Sequence, residues 1–490
     1  MRFAITGATG FLGRALVLRL ARDGHHVVAL VRDPVAARGV LGAHPTVVAL
    51  ADDLAVTRAV HAADAIINLA GEGILERRWT AARKAALRAS RVDLTRRLAD
   101  AIATRPRPLP ALVSASAIGW YGDRGDELVD ETAAPGADFA AELCRDWEAA
   151  AEAARPRCER VVRARIGVVI GGEGGALATM RPLFRWGLGG PIGRGDQWVS
   201  WIHLDDAVEA LVRCATDAAL DGAVNLVAPT PVTNRAMATS IGAALHRPAW
   251  LPAPRFGVRL ALGARAALVL GGQRVVPAAL QRVGFAWAWP SLDAAIAEAV
   301  RGDPDAVQLA RAPAALPTSA YLAARPPRYT LTARTVIDRP LAEVFAFFCA
   351  AENLGAITPP DMGFTIVTPT PIAMAAGAEI DYRIRASGVP MAWRTVIDAW
   401  EPPAAGRARF VDSQARGPYA CWWHEHRFEA DGDRTIMIDT VHYAPPLGPL
   451  GAVANTLMVA GELRRIFTHR GRAIRLRFGP PPGADLRAAS

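Results

Sequence analysis

One local pattern constrains this chain more than any other. A short apolar run, Arg2–Thr6, leads directly into Gly7-Ala8-Thr9-Gly10-Phe11-Leu12-Gly13, and apolar residues at helical spacing follow as far as Asp23, with Gly24 placed to cap the helix. Gly7 permits a tight turn, Gly10 lets the backbone approach a pyrophosphate, and Gly13 lets helix and strand pack closely. The helix start then offers unpaired N–H groups and the positive end of its dipole to phosphates. A glycine triplet without its flanks says little; here both the strand and the helix are present.

The next 160 residues or so, roughly a domain's length, continue in the same manner. Apolar runs at residues 3–5, 27–31, 47–50, 65–69, 111–113 and 161–170 alternate with longer segments of helical spacing. That alternation predicts a parallel sheet of βαβ units, an α/β Rossmann-type doubly wound fold. Residues 171–298 are richer in Gly and Pro and read as a substrate-facing lobe. Residues 299–327 are rich in Ala and Pro with weak periodicity and read as a linker. From Tyr329 the pattern changes class. A strand (330–336), a helix (341–350) and β-like runs at 378–385, 392–400, 407–412, 421–429 and 435–443 precede a long helical stretch, 450–475. This is an α+β domain over 328–478, and residues 479–490 form a tail.

The chain is 490 residues long, more than a single core usually supports. Its net charge of +9 is spread thinly, and isolated pairs such as Arg77-Arg78 have no aromatic interleaving, so no nucleic-acid partner is expected. The arginine-rich stretch 463–477 keeps Leu463, Ile466, Phe467 and Ile474 at helical spacing, which predicts a docked amphipathic helix. No apolar run is long enough to span a membrane. Five scattered cysteines without Cys-x-x-Cys spacing fit a reducing, cytoplasmic setting.

The second strand ends at Arg32. An acidic residue there suits the ribose of NAD, whereas an arginine suits the additional 2′-phosphate of NADP. A guanidinium–phosphate contact is charge-assisted and can be bidentate. NADP is therefore the expected cofactor, and the adjacent Asp33 keeps NAD open.

Further segments carry a resemblance: Asn68-Leu69-Ala70-Gly71, Ser114-Ala115-Ser116, Trp120-Tyr121-Gly122, Asp146-Trp147-Glu148, Trp198-Val-Ser-Trp201-Ile-His203-Leu-Asp205-Asp206 and Arg274-Val-Val-Pro277. With the glycine turn they resemble an atypical, extended short-chain dehydrogenase/reductase of the nucleoside-diphosphate-sugar epimerase-like group. The match spans residues 1–298, of which about 248–298 form the group's own C-terminal segment. The resemblance implies a cofactor held by Gly7, Thr9, Gly10, Phe11, Leu12, Gly13 and Arg32, with Leu69, Ala70 and Gly71 along it and Ser114 near the nicotinamide.

Such enzymes usually move a proton with a tyrosine whose pKa is lowered by a lysine four residues later. That pair cannot exist here. Of 56 basic residues only Lys84 is a lysine, position 80 is a threonine, and the expected helix, Phe139-Ala-Ala-Glu142-Leu-Cys144-Arg145-Asp146-Trp147-Glu148, has no tyrosine. Arg91 also stands where an asparagine is common. Ser116 and Tyr121 are the best-placed catalytic substitutes, with Glu142 or Glu148 as further candidates and Arg163 or Arg165 as a cation for the phenol. The opposing reading is a domain that binds NADP as a ligand or sensor without turnover. His203, next to Asp205 and Asp206, is expected to be structural.

In the C-terminal part, Ile337-Asp338-Arg339-Pro340, Gly417-Pro418-Tyr419 and Trp423-His424-Glu425-His426-Arg427-Phe428 resemble the START-like (SRPBCC) superfamily that includes polyketide cyclases. That resemblance implies a helix-grip fold with an apolar ligand cavity. Strand alternation puts Trp422, His424, His426 and Phe428 on one face and Cys421, Trp423, Glu425 and Arg427 on the other. A metal held by His424, His426 and His442 is the sharper reading. Histidines that line the cavity or pair with Glu425 and Arg427 are the expectation, so no metal is expected, since no carboxylate support is readable from the sequence.

The expected protein is thus an NADP-dependent oxidoreductase or epimerase-like enzyme acting on a small molecule, with a second domain for a hydrophobic ligand. Its alternative is a non-catalytic NADP sensor coupled to a hydrophobic-ligand receptor.

Overall fold

The computed structural model describes residues 1–41, 45–172, 174–185, 187–301, 307–337, 339–359, 362–386 and 389–478. The expected tail, 479–490, and Asp338 of the motif above lie outside the described residues. The chain divides into two compact units: Met1–Ala37 with Pro45–Gly302, and Asp303–Ser490 with the short stretch Arg38–His44.

Seven strands build the sheet of the first unit: β1 (Arg2–Thr6), β2 (His26–Val31), β3 (Thr46–Ala49), β4 (Ala65–Asn68), β5 (Leu109–Ala117), β6 (Cys158–Ile166) and β7 (Gly222–Leu226). All pairings are parallel, in the order β3-β2-β1-β4-β5-β6-β7. Helices cover both faces, which is why the inner strands read as unbroken apolar runs: Phe3, Ala4, Ile5, Ala65, Ile66 and Ile67 have no exposed surface. The core on one face joins Ala4, Leu30, Val60, Ile66, Leu98, Leu112 and Val161. The chain runs outward from β1 to β3 and then crosses to β4 on the other side. The carboxyl ends of β1 and β4 therefore flank a switch point, the usual place for a ligand in such a sheet.

Six of these strands match the sequence expectation. The seventh lies inside the segment read as an irregular lobe, because Gly-Ala-Val-Asn-Leu is short and carries a central polar Asn225. The segment expected at about 248–298 is pinned by partly buried polar contacts. Asp206 accepts from the Ala288 and Trp289 N–H groups, and Glu131 accepts from those of Asn225 and Ala279. His203 has its Nε2 2.8 Å from Glu298, stacks near Trp289 and is almost fully buried, so it serves the structure as expected.

The second unit is one eight-stranded antiparallel sheet: β8 (Val307–Arg311), β9 (Tyr329–Ile337), β10 (Thr365–Ile366), β11 (Glu379–Ala386), β12 (Val389–Ala404), β13 (Arg407–Arg416), β14 (Cys421–Asp431) and β15 (Arg434–Ala444). Their order is β8-β9-β15-β14-β13-β12-β11-β10. A final helix, Ala460–Phe478, lays Leu463 and Phe467 against Leu331, Val441 and Tyr443 of the sheet. The stretch expected as a linker contributes the edge strand β8, which pairs with β9, and a short helix, Ala320–Ala324. Two apolar residues alternating with polar ones suffice at an edge but leave little periodicity to read. Among the described residues no helix is long and apolar enough to cross a membrane.

Candidate functional site

The turn after β1 is built from missing side chains. Gly7 has φ +67°, and a Cβ there would lie 2.7 Å from the backbone of Leu69. A Cβ on Gly13 would lie 2.1 Å from the Gly7 carbonyl oxygen. Two glycines thus bring the ends of β1 and β4 and the start of helix α1 (Phe11–Arg22) into backbone contact. Gly10 is the residue before that helix, it is exposed, and no side chain caps the N–H groups behind it. Thr9 is exposed and Phe11 and Leu12 half-exposed on the open side of the turn, while Gly13 is buried; Leu69 and Ala70 are half-exposed and Gly71 exposed beside them.

Arg32 follows β2 with its side chain 84% exposed, its guanidinium reaching Glu72 only at 4.0 Å. The Asp33 carboxylate instead accepts from the Val35 and Ala36 N–H groups at 2.9 and 3.0 Å, capping the next helix. The acidic group that kept NAD open is therefore engaged elsewhere, while the arginine is available. Glu72 is held by Arg83, and Arg91 donates to the Glu72 carbonyl at 2.8 Å. A Cβ on Gly71 would lie 3.0 Å from the Arg91 guanidinium, whose carbon is also 5.2 Å from the centre of the Trp147 ring. The arginine that replaces the common asparagine thus shapes the loop after β4.

Below the turn a buried network joins the strands. Thr6 donates to Asn68 at 2.6 Å, and Asn68 donates to Thr95 and Ser114 at 2.8 and 3.2 Å. Trp147 also donates to Thr95. Ser114 is therefore buried and committed to this network.

The candidate catalytic residues belong to a second buried cluster. Ser116 donates to Glu148 at 2.7 Å, and Arg165 grips both oxygens of Glu148 at 2.8 and 3.0 Å. Arg165 also donates to the Tyr121 hydroxyl at 3.0 Å, and that hydroxyl donates to Asn225 at 2.7 Å. Tyr121 has no exposed surface. Burial pushes its pKa up, outweighing the neighbouring Arg165. The expectation of an arginine beside the phenol holds, but the proton is bound more tightly, not less. On the helix Phe139–Glu152 the residues facing the end of β5 are Cys144, whose thiol is 3.7 Å from the Ala117 carbonyl and pushed up to about 11 by burial, and Glu148 one turn later. Glu142, half-exposed, is outside this cluster.

The second unit holds a cavity of about 530 Å³ between sheet and helix, lined mostly by apolar groups such as Phe347, Ile380, Met391, Trp393, Trp422 and Phe467. Polar groups also reach it, among them Asp412, His424, His426 and Arg470. The predicted alternation of faces is present, but the predicted partners are not. Glu425 and Arg427 lie on the opposite face, paired with Arg409 and Glu429. The histidines instead meet Asp412 and Asp439 on the neighbouring strands. Asp439 is held well below the usual carboxylate range by Arg470 and the two histidines, against its burial. His442 stands apart, 2.8 Å from Thr330.

A model of the NAD dependent epimerase/dehydratase family matches residues 3–226, and a domain of unknown function, DUF1731, matches residues 253–299. The Arabidopsis thaliana protein named epimerase family protein SDR39U1 homolog, chloroplastic, is 41% identical over 290 residues, covering 58% of this chain and 82% of that protein. The crystal structure of human epimerase family protein SDR39U1 (isoform 2) with NADPH superposes with a TM-score of 0.55 at 35% identity, covering 62% of this chain and all of that one. A nucleoside-diphosphate sugar epimerase from Corynebacterium glutamicum gives a TM-score of 0.50 at 36% identity, over 61% of this chain and 58% of that one.

Proposed function

Because the chain belongs to the epimerase family, with the SDR39U1-like proteins among its relatives, we propose that its first unit is an NADPH-binding enzyme of oxidoreductase or epimerase-like type acting on a small molecule. The observation that carries this reading is the glycine turn: backbone contact between β1, β4 and α1, an uncapped helix start, and the exposed Arg32 beside it. These residues fit the cofactor. The turn and helix start would receive its pyrophosphate and Arg32 its 2′-phosphate. When bound, the nicotinamide supplies or accepts a hydride.

The chain's own groups must then manage the proton. Ser116 is the candidate for this, since its hydroxyl is already hydrogen-bonded to the Glu148 carboxylate. Glu148 would take or return the proton, with Arg165 fixing its geometry. Tyr121, buried and raised in pKa, is a positioning residue that holds Arg165 between itself and Glu148. In the second unit, an antiparallel sheet closed over an apolar cavity by a long terminal helix supports the START-like reading and a hydrophobic ligand. Five unpaired cysteines support a reducing, cytoplasmic setting.

The tight burial of Tyr121 and the missing tyrosine–lysine pair favour one competing reading, NADPH binding without turnover. Titration of the full chain with NADPH and NADH tests the cofactor. Arg32→Asp should weaken NADPH by roughly 10- to 100-fold while sparing NADH, as loss of a charged hydrogen bond predicts; an unchanged preference overturns the assignment. Single-turnover oxidation of bound NADPH by carbonyl compounds or nucleotide sugars tests the chemistry. Turnover that is lost in Glu148→Gln supports the enzyme, and no oxidation with any of them supports the sensor.

A further inference from the structure

The polar end of the second unit's cavity has an order that a set of cavity-lining residues does not require. His424 and His426 share a face of β14, and the register places Asp412 of β13 opposite His424 and Asp439 of β15 opposite His426. Their four ring nitrogens divide between the two carboxylates. His424 Nδ1 and His426 Nε2 lie 3.6 and 3.1 Å from the same oxygen, Oδ2 of Asp412. The other two nitrogens, His424 Nε2 and His426 Nδ1, lie 3.1 and 2.7 Å from Oδ1 of Asp439. Arg470 lies beside both groups, its Nε 3.4 Å from Asp439 Oδ2 and its Nη2 3.3 Å from His426 Nδ1. Asp412 meets no arginine or lysine among the described residues, although it borders an apolar cavity.

We propose that Asp412, His424 and His426 form a binding site for one divalent transition-metal ion that opens into the cavity. Their donor atoms lie within 4.8 Å of one another. An ion with bonds of about 2.0–2.2 Å to nitrogen and oxygen holds adjacent donors about 3–3.5 Å apart, close to the two distances at Asp412. Ligating histidines almost always give their second nitrogen to a carboxylate, which fixes the tautomer and the ring. Asp439 lies at the second nitrogen of each ring, and Arg470 neutralises Asp439, so the charge left for the ion is that of Asp412. Two imidazoles and one carboxylate select zinc, iron, cobalt or manganese over calcium or magnesium, which favour all-oxygen shells. Three protein ligands leave positions open, the arrangement of sites that bind a further ligand. The open side faces Trp422, Phe467 and the other apolar walls. The fitting ligand is an apolar molecule with one oxygen or nitrogen donor. The site stands on the second unit alone and is independent of the NADPH reading.

The test uses the full chain without a polyhistidine tag, stripped with a chelator and dialysed against Zn²⁺ or Co²⁺. The expected result is one ion per chain, with visible Co²⁺ absorption, lost in Asp412→Asn and in His424→Gln. Asp439→Asn should weaken binding by roughly 10- to 100-fold, and His442→Gln should leave it unchanged. In the wild-type Co²⁺ form, hyperfine-shifted imidazole N–H signals should count two histidine ligands, a readout that needs no variant to fold. No retained ion, an ion equally retained by Asp412→Asn and His424→Gln, or fewer than two shifted imidazole signals would each overturn the site.

Discussion

The two units make their sites in opposite ways. In the first, the site is made by side chains that are absent: Gly7 and Gly13 allow three backbone segments to touch and leave N–H groups facing outward. In the second, the site is made by side chains that are large, since Phe, Trp and Met residues wall a cavity between sheet and helix. One should be broken by adding atoms and the other by removing them. The parallel sheet can delegate its chemistry to a turn because its strands are covered on both faces. The antiparallel sheet carries the terminal helix on one face and keeps its cavity between the two.

The largest effect should come from removing atoms in the second unit. Phe428 is fully buried and packs edge-on against Phe345. Phe428→Ala should cost about 3–5 kcal/mol, seen in chemical denaturation and in the near-ultraviolet circular dichroism of the neighbouring aromatic residues. A loss below about 1 kcal/mol would mean that the core packed behind the cavity-lining Phe347, Phe348 and Phe410 can collapse around the gap. Next is the addition of a methyl group in the first unit. Gly13→Ala drives a Cβ into the Gly7 carbonyl and should cost up to about 3 kcal/mol, with NADPH affinity falling by more than tenfold. An unchanged affinity would show that the turn relaxes and that close backbone approach is not what forms the site.

How much of this could be read beforehand follows the same division. The glycine turn was legible because a strand, three glycines and a helix are contiguous, and β1, β2 and β4 because burial on both faces writes unbroken apolar runs. Strand β7 was not, since Asn225 interrupts it; that side chain is buried and serves Tyr121. In the second unit the alternation of His424 and His426 was legible, but their carboxylates were not. Asp412 and Asp439 reach them through strand register, which no local pattern encodes. Glu148, on a helix, is likewise singled out only by tertiary contacts, with Ser116 of β5 and Arg165 of β6.

Tyr121 tests whether the buried cluster of the first unit is chemical or structural. Tyr121→Phe removes a hydroxyl that serves Arg165 and Asn225 and should cost about 1–3 kcal/mol, the usual penalty for stranding buried partners. The folded pKa of the phenol is raised, so the proton is held more firmly folded than unfolded. Its contribution to stability should be complete below about pH 10, the unfolded value, and decline as the pH rises through the folded one. In the variant that alkaline loss should shrink, as followed by thermal melts across pH. If turnover is found, Tyr121→Phe should keep the shape of the pH–rate profile; a missing inflection would make the phenol the proton carrier after all.

The smallest effect concerns the only lysine. In a chain that uses arginine almost everywhere, Lys84 Nζ lies 4.6 Å from the centre of the Phe139 ring, which also packs edge-on against Trp79. The charge therefore rests on the first residue of the helix that carries Cys144 and Glu148. A cation over an aromatic face contributes about 0.5–1 kcal/mol at a partly exposed site, and arginine serves as well as lysine. Lys84→Arg should stay within about 0.5 kcal/mol of wild type, whereas Lys84→Met should lose the cation term while keeping most of the apolar stem. Equal melting of the two variants would remove any role for the charge. A specific loss of turnover in Lys84→Arg, at unchanged stability and NADPH affinity, would instead mean that this ammonium does chemistry which the contact with Phe139 does not explain.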